Sequence, residues 1–212
     1  MTMKYAQRTV TLLTRRTLMV GAGAMAILPA WTPAHASAIG ETVKVSGEVT
    51  RRQQKAEDRL AAGAPLMDND LVVTAAESFA DLKLGSDTRV LLGGDTELLI
   101  DSFIAGQGGT LELGAGAMMF DRPEGLAKID VSVRTTFGMI GVRGTKFFAG
   151  PSRGRFAVFV EHGKVAVTNG GTTREVGKGQ GVEIASVDAR PSEPVDWGKQ
   201  RIREAYALVG AR

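Results

Sequence analysis

The chain has 212 residues, a formal net charge of +3 and no cysteine, and its sequence pI of about 9.3 suggests an acidic partner such as nucleic acid. This length is enough for one domain with a full hydrophobic core. The absence of cysteine excludes disulfides, thiolate metal sites and a cysteine nucleophile, and the ordinary charged fraction of 23% argues against disorder.

The N-terminus reads as an export signal. The first 38 positions contain no acid and these basic residues: Lys4, Arg8, Arg15 and Arg16. An apolar run over 18–28 is too short to span a bilayer, and it precedes small-residue cleavage sites that end at Ala36 and Ala38. The Arg15–Arg16 pair before a weakly apolar run resembles a twin-arginine signal, with the Sec route as the alternative. We expect residues 1–38 to be removed, leaving a periplasmic chain without a transmembrane helix.

The positive charge belongs to this signal. Without its basic residues, 22 basic residues remain against 23 acidic ones, a net charge of −1. No basic patch with interleaved aromatic residues remains either. The sequence therefore argues against nucleic-acid binding by the mature chain.

Residues 39–188 form one predicted β domain. Short alternating or apolar runs recur about every ten residues, and many of the 27 glycines lie between them, where tight turns need positive φ. The segment from Gln53 to Leu60 is polar and is predicted to be a loop. The predicted strands are 42–45, 48–49, 71–74, 79–84, 89–92, 97–100, 110–113, 118–120, 128–133, 146–148, 156–160, 164–167, 175–176 and 181–184. Such spacing is typical of an all-β sandwich, a barrel or a β-solenoid.

Residues 189–212 form a connector and a predicted amphipathic helix over 195–209. One face carries the apolar residues Trp197, Ile202, Tyr206 and Val209, and we expect it to pack on the domain. A helix that docks on a partner is the alternative. The residues predicted to face solvent are Lys199, Arg201, Arg203 and Glu204.

Residues for catalysis are scarce. After cleavage, His162 is the one histidine left, and it is predicted to lie on a surface hairpin turn. One histidine without cysteine cannot build a zinc site of the usual ligand types. Scattered acids could serve a glycan hydrolase if two of them met in a cleft; examples are Asp81, Asp87 and Asp95. The sequence favours a binding module over an enzyme, with no cofactor and no metal.

The most distinctive segment sets one arginine among glycines, between apolar strands. Its guanidinium has five donors, which suit a carboxylate or several carbonyls. We expect Arg143 to act as a structural clamp across a neighbouring strand, with binding of an anionic ligand or partner as the alternative. The residues of this motif are Gly141, Val142, Arg143, Gly144, Thr145 and Phe147.

This motif resembles the signature of the FecR domain, the periplasmic domain of ferric-citrate-type transport regulators. Thr136-Phe137 stands where the family pattern has Thr-Pro. Other segments resemble the family in order from Val43 to Ile184, and they are Gly63–Leu66 with Asp70 and Thr74, Ser78–Leu82, Leu113–Gly116, Val160–Val165 and Val176–Gln180.

The resemblance implies a glycine-turned, all-β periplasmic domain for sensing and protein interaction. In iron regulators, such domains relay receptor occupancy to an anti-sigma segment across the inner membrane. Here we expect a stand-alone form, without an anti-sigma or membrane domain of its own. The expected partner is another envelope protein, with a glycan or small ligand as the alternative, and an envelope scaffold is the alternative function. The family motif is expected to be architectural.

Overall fold

The computed structural model describes residues 38–54 and 56–211. Residues 1–37 of the predicted export signal, including Arg15, Arg16 and Ala36, therefore lie outside the described residues, and Ala38 is the first described residue. Within these ranges, no helix combines the length and the apolar character that a bilayer crossing requires.

Eighteen strands and one helix make up the described chain. In chain order they are β1 (Gly40–Ser46), β2 (Val49–Gln53), β3 (Ala56–Arg59), β4 (Pro65–Leu66), β5 (Asp70–Thr74), β6 (Phe79–Leu84), β7 (Thr88–Leu92), β8 (Glu97–Ile104), β9 (Gly108–Ala115), β10 (Met118–Asp121), β11 (Asp130–Thr135), β12 (Gly138–Arg143), β13 (Lys146–Ser152), β14 (Arg155–His162), β15 (Lys164–Asn169), β16 (Thr172–Gly177), β17 (Gln180–Ile184), β18 (Val195–Asp196) and α1 (Lys199–Leu208).

The strands form two open sheets of nine strands each. Sheet A has the order β18-β17-β14-β13-β10-β7-β6-β1-β4, and sheet B has the order β16-β15-β12-β11-β9-β8-β5-β2-β3. Strand pairing is antiparallel except between β9 and β11, which run parallel. The chain adds strands to the two sheets in turn, so both sheets grow in the same direction. The predicted all-β class is confirmed, and among its variants the structure is sandwich-like, with neither sheet closed into a barrel.

The main core lies between the sheets and follows from strict alternation. In β5, for example, the burial pattern alternates along the strand, with Val72 fully buried. Leucine, isoleucine, valine and phenylalanine side chains from both inner faces make up this core. Burial of such side chains stabilises the fold by about 1.5–3 kcal/mol each.

A second, smaller core lies on the outer face of sheet A, under α1. Met119, Phe148 and Phe159 point outward from sheet A and are almost fully buried. Ala205 of α1 and Val209, which caps the C-terminus of α1, close this core. The prediction that the helix packs on its own domain is therefore confirmed.

The helix is shorter than predicted, and one of its residues is misplaced in the prediction. Val195 and Asp196 form β18, which pairs with β17, so the helix begins only at Lys199. Arg201, predicted to face solvent, is only 8% exposed. Its guanidinium stacks 3.8 Å above the Trp197 ring and lies 2.8 Å from the Glu183 carboxylate. An aromatic face and a carboxylate on the sheet explain why this cation is buried.

Four strands lie where the sequence predicted none, and they are β3, β4, β12 and β18. The polar stretch 53–60, predicted as a loop, forms the turn and second strand of the β2–β3 hairpin, because opposite charges face each other across it: Arg51 lies opposite Asp58, and Arg52 opposite Glu57. The glycine-rich stretch Gly138–Arg143 forms β12, a central strand of sheet B. Hydrophobic alternation is weak in the hairpin and in β12, so pattern alone could not find them.

Candidate functional site

The distinctive motif divides its side chains between the core and the surface. Val142 and Phe147 lie in the main core, and Phe147 stacks on Phe120 with 5.6 Å between ring centroids. Thr145 is fully buried, and its hydroxyl donates to the Lys164 carbonyl oxygen at 3.0 Å. These three residues therefore join β12 and β13 to the rest of the sandwich.

Arg143 is on the surface. Its side chain is 71% exposed, and its Nε lies 3.2 Å from Oδ1 of Asp130, which is itself 81% exposed. Residues alternate along β12, so a position next to buried Val142 must face outward. Arg143 reaches the neighbouring strand β11 only at the exposed Asp130 directly opposite it, which gives the expected structural clamp little support.

Gly141 lies on the outer face of sheet B, in the third strand from the β16 edge. It pairs with Ser132 on β11 and with Ala166 on β15, so three small residues stand side by side across the sheet. The sequence could not reveal this row, because it depends on the register of three strands. The missed signal was the glycine in the interior of a strand, which often marks a close approach by a ligand or another backbone.

The backbone and the packing of this protein do not require glycine at 141. Gly138 and Gly144 have φ of +113° and +66°, a region that side-chain-bearing residues rarely adopt. Gly141 is not among the residues with positive φ, and a Cβ added there would meet nothing closer than the Ala166 carbonyl oxygen at 3.8 Å. Glycine in a strand costs about 0.5–1 kcal/mol relative to alanine. The effect of Gly141 is therefore to leave space outside the sheet.

That space is a depression of about 720 Å³. Its floor contains Ser132, Gly141 and Ala166, and charged residues line it: Lys128, Asp130, Arg143, Lys164 and Glu175. Lys164 and Glu175 form an ion pair at 2.9 Å, with side chains 62% and 70% exposed. Exposed pairs of this kind contribute little to stability, so their side chains are available to a binding partner.

The outer face of sheet A carries a very different set of charges. A connected network crosses it, formed by Asp81, Arg89, Asp121, Lys146, Glu161 and Tyr206. Burial alone would raise the pKa of Glu161, but the Tyr206 hydroxyl and Lys146 outweigh it and lower that pKa. Burial and the contact with Glu161 raise the pKa of Tyr206. These groups satisfy one another and tie α1 to the sheet.

The remaining sequence candidates do not assemble into a catalytic site. Asp81 pairs with Arg89, while Asp87 and Asp95 lie in turns at opposite ends of β7. His162 ends β14, and its side chain is 14% exposed, so it is more buried than a surface turn implies. No group of three or more histidine and carboxylate side chains within residues 38–54 and 56–211 is placed to hold a metal ion.

A second depression, of about 360 Å³, lies at one end of the sandwich. Phe137, which stands at the family's proline position, stacks on Phe156 with 4.9 Å between ring centroids. Small-molecule sites usually add converging polar groups to such apolar walls. Here Arg155 lines the depression but is paired with Glu183 at 3.6 Å, and most of the remaining lining is apolar.

Two family residues near the start of the domain are structural. Asp70 is fully buried, and its Oδ2 accepts a hydrogen bond from the Met67 amide at 2.8 Å. Burial raises the pKa of this carboxyl. Thr74 accepts from the Thr96 amide at 2.9 Å and so joins β5 to the turn before β8. Both residues hold turns against the sandwich.

Comparisons with known proteins agree with this architecture. Two crystal structures of a candidate anti-sigma factor from Parabacteroides distasonis ATCC 8503 are similar at 19% sequence identity and a TM-score of 0.51. The similarity covers 63% of this chain and 62% of the solved chain, so the chain spans less than two thirds of that protein. At this identity the likeness concerns the fold. No curated protein matches the sequence.

The family model described as FecR protein matches residues 70–166. The matched region runs from β5 into β15, and it contains the row of small residues and every residue of the distinctive motif. The predicted resemblance to the FecR domain is confirmed over residues 70–166 of this chain.

Proposed function

We propose that this chain is an exported, non-enzymatic module of envelope signalling, and that it binds another envelope protein through the depression over Gly141. The match to the FecR family model supports a signalling role. The single observation that locates the binding surface is Gly141, because neither the backbone conformation nor the packing of the protein requires glycine at this strand position. The missing side chain would allow a binding partner to approach the strand closely.

The charged rim gives this surface its specificity. Arg143, Lys128 and Lys164 offer positive charge, while Asp130 and Glu175 offer negative charge, all around a small-residue floor. A protein surface with complementary charges could form ion pairs here while its backbone approaches Gly141. Such complementarity acts mainly on specificity and on the association rate.

A cross-linking experiment tests this location. A photo-reactive side chain at Ser132, in the floor of the depression, should capture a partner in cells that produce the protein. Gly141→Tyr should abolish this capture, because the new ring fills the depression. Gly198→Tyr is the matched control, since Gly198 has nothing within 4 Å of its Cβ position and lies at the start of α1. Equal capture by the two tyrosine variants would contradict the proposed surface.

We also propose that residues 1–38 direct export by the twin-arginine route and are cleaved after Ala36 or Ala38. The basic residues and the weakly apolar run support this proposal. In a fusion of these residues to a periplasmic reporter, Arg15→Lys with Arg16→Lys should block export. The control is Lys4→Arg with Arg8→Lys, which keeps the pair intact. Undiminished export of the first variant would instead favour the Sec route.

A further inference from the structure

Sheet B has one open edge that differs from the other sheet edges. In sheet A the edge strands β4 and β18 have two residues each, and β4 contains Pro65. The part of β1 that extends past β4 carries a bulge between Thr42 and Lys44. In sheet B, β3 has four exposed residues, of which three are charged. Short strands, prolines, bulges and charges are the features that protect edges from pairing with other chains.

β16 is not protected by being short, by a proline or by a bulge. It has six residues with the sequence TTREVG, pairs regularly with β15 and lies at the end of the sheet. Within the described part of the chain, no backbone hydrogen bond joins residues 172–176 to any segment other than β15. One row of its backbone groups therefore has no backbone partner among residues 38–54 and 56–211.

The turn that precedes β16 identifies this row. Gly170 and Gly171 have φ of +52° and +70° and form a two-residue hairpin turn between Asn169 and Thr172. In such a hairpin the residues that flank the turn are hydrogen-bonded to each other, and every second residue after them is bonded likewise. The amide and carbonyl groups of Thr173 and Glu175 consequently point away from β15, towards the free edge.

The connector after β17 closes the sandwich and contacts β16 through an ion pair between Glu193 and Arg174, without a backbone hydrogen bond to residues 172–176. Asn169 Nδ2 donates to the Val187 and Ala189 carbonyl oxygens at 2.6 and 2.9 Å, which holds the connector at the turn end of β16. Further along, the Ser192 amide donates to the Glu183 carbonyl oxygen of sheet A at 2.9 Å. The connector therefore closes the core, whereas no strand of the described chain pairs with the outer edge of β16.

We propose that β16 accepts an extended segment of another polypeptide, which adds a strand to sheet B through hydrogen bonds to Thr173 and Glu175. This inference rests on the proposed protein-binding function, because Glu175 lies both on the free edge and in the depression over Gly141. Main-chain pairing supplies affinity in strand addition, and side chains supply specificity.

Charge indicates which segment fits. The Glu175 side chain is 70% exposed and points to the outer face, so a basic residue opposite it is favoured. A second copy of this chain fits poorly, because the antiparallel register that pairs residues 172–176 with the same residues of another copy sets Arg174 opposite Arg174. The occupant is therefore a segment of a different protein, extended and with a basic residue facing Glu175.

A random library of displayed twelve-residue peptides provides the probe. Peptides selected on the full chain should share a strand-like alternation with a basic position. Thr173→Pro removes a free-edge donor without removing a bond to β15 and should weaken the selected peptides roughly tenfold. Thr173→Val keeps the backbone donor and removes only the hydroxyl, so its affinity should stay within about twofold of the parent.

Other results would contradict strand addition at β16 without contradicting the proposed binding over Gly141. If Gly141→Tyr abolishes peptide binding and Thr173→Pro does not, strand addition is wrong while binding over Gly141 survives. If no peptide is selected, or if the chain instead forms dimers that Thr173→Pro dissociates, a foreign strand on this edge is likewise excluded.

Amide hydrogen exchange on the parent chain tests strand addition without the Thr173→Pro variant, so the test does not depend on whether that variant folds. Bound peptide should slow exchange at Thr173 and Glu175 more than at Arg174, whose amide already bonds to β15. Unchanged exchange at these two amides under saturating peptide would overturn the proposal.

Discussion

The two outer faces of the sandwich differ in how far the protein covers them itself. On sheet A the apolar residues lie under α1, and the charges form a continuous network that ends on the helix at Tyr206. On sheet B the row formed by Ser132, Gly141 and Ala166 has small side chains, and the surrounding ion pairs are exposed. A face whose groups satisfy each other is structural, whereas a face that leaves space and exposed charge is available for binding.

The largest expected difference between the faces comes from Phe148, which is fully buried beneath α1. Phe148→Ala should lower the free energy of unfolding by about 3–5 kcal/mol, because a large cavity forms in the second core. Met139→Ala on the outer face of sheet B, where Met139 is 47% exposed, should change it by less than about 0.5 kcal/mol. Urea unfolding of both variants measures the contrast, which similar losses would refute.

Two arginines give the next contrast. Arg201→Ala should cost about 1–3 kcal/mol, because it removes the contact with Trp197, the hydrogen bond to Ser152 and the ion pair with Glu183. Arg143→Ala should cost less than about 0.5 kcal/mol, since both members of its pair are exposed. Thermal unfolding followed by circular dichroism compares them. An Arg143→Ala variant as unstable as Arg201→Ala would restore the clamp interpretation.

The dependence of unfolding free energy on pH should distinguish the charge network on sheet A from the exposed ion pair between Lys164 and Glu175 on sheet B. Tyr206→Phe removes a hydrogen bond that lowers the pKa of Glu161 and should cost about 1 kcal/mol at neutral pH. A lowered folded-state pKa stabilises the fold above the ordinary carboxyl pKa, and this contribution is lost as the pH falls through the folded-state value. The deficit of Tyr206→Phe should thus shrink below about pH 4.5.

The control for the pH series is Glu175→Gln, which alters the exposed ion pair on sheet B. Its unfolding free energy should follow that of the parent chain within about 0.5 kcal/mol across the series. A deficit of Tyr206→Phe that stays constant down to pH 3 would show that the hydroxyl acts through packing alone.

The last expected effect is at Gly141 itself, and it is a gain in stability rather than a loss. Gly141→Ala should raise the free energy of unfolding by up to about 1 kcal/mol, because the added Cβ meets only ordinary contacts and alanine loses less backbone entropy. Gly138→Ala is the matched opposite, because positive φ and a collision with the Thr168 carbonyl oxygen make it destabilising. If Gly141→Ala were destabilising as well, the glycine would serve the fold and the binding surface would lose its support.

Prediction from sequence succeeded where a local pattern carried the information. Period-two alternation over Phe79–Leu84 and the apolar run over Phe156–Val160 located strands, and the ordered set of short segments identified the family. It failed at β12 and at the β2–β3 hairpin, where glycines and charges replace alternation. It also misplaced Arg201, because the burial of a long cation depends on partners that lie far away in the chain.

The sequence by itself determined the β class, the turns at its glycines and the family, because strand alternation, turn chemistry and motif order are local properties of the chain. Tertiary structure alone decided that the two sheets stay open, that α1 covers one of them and that Ser132, Gly141 and Ala166 form one row. These features depend on strand register and on contacts between distant segments, which no local pattern encodes.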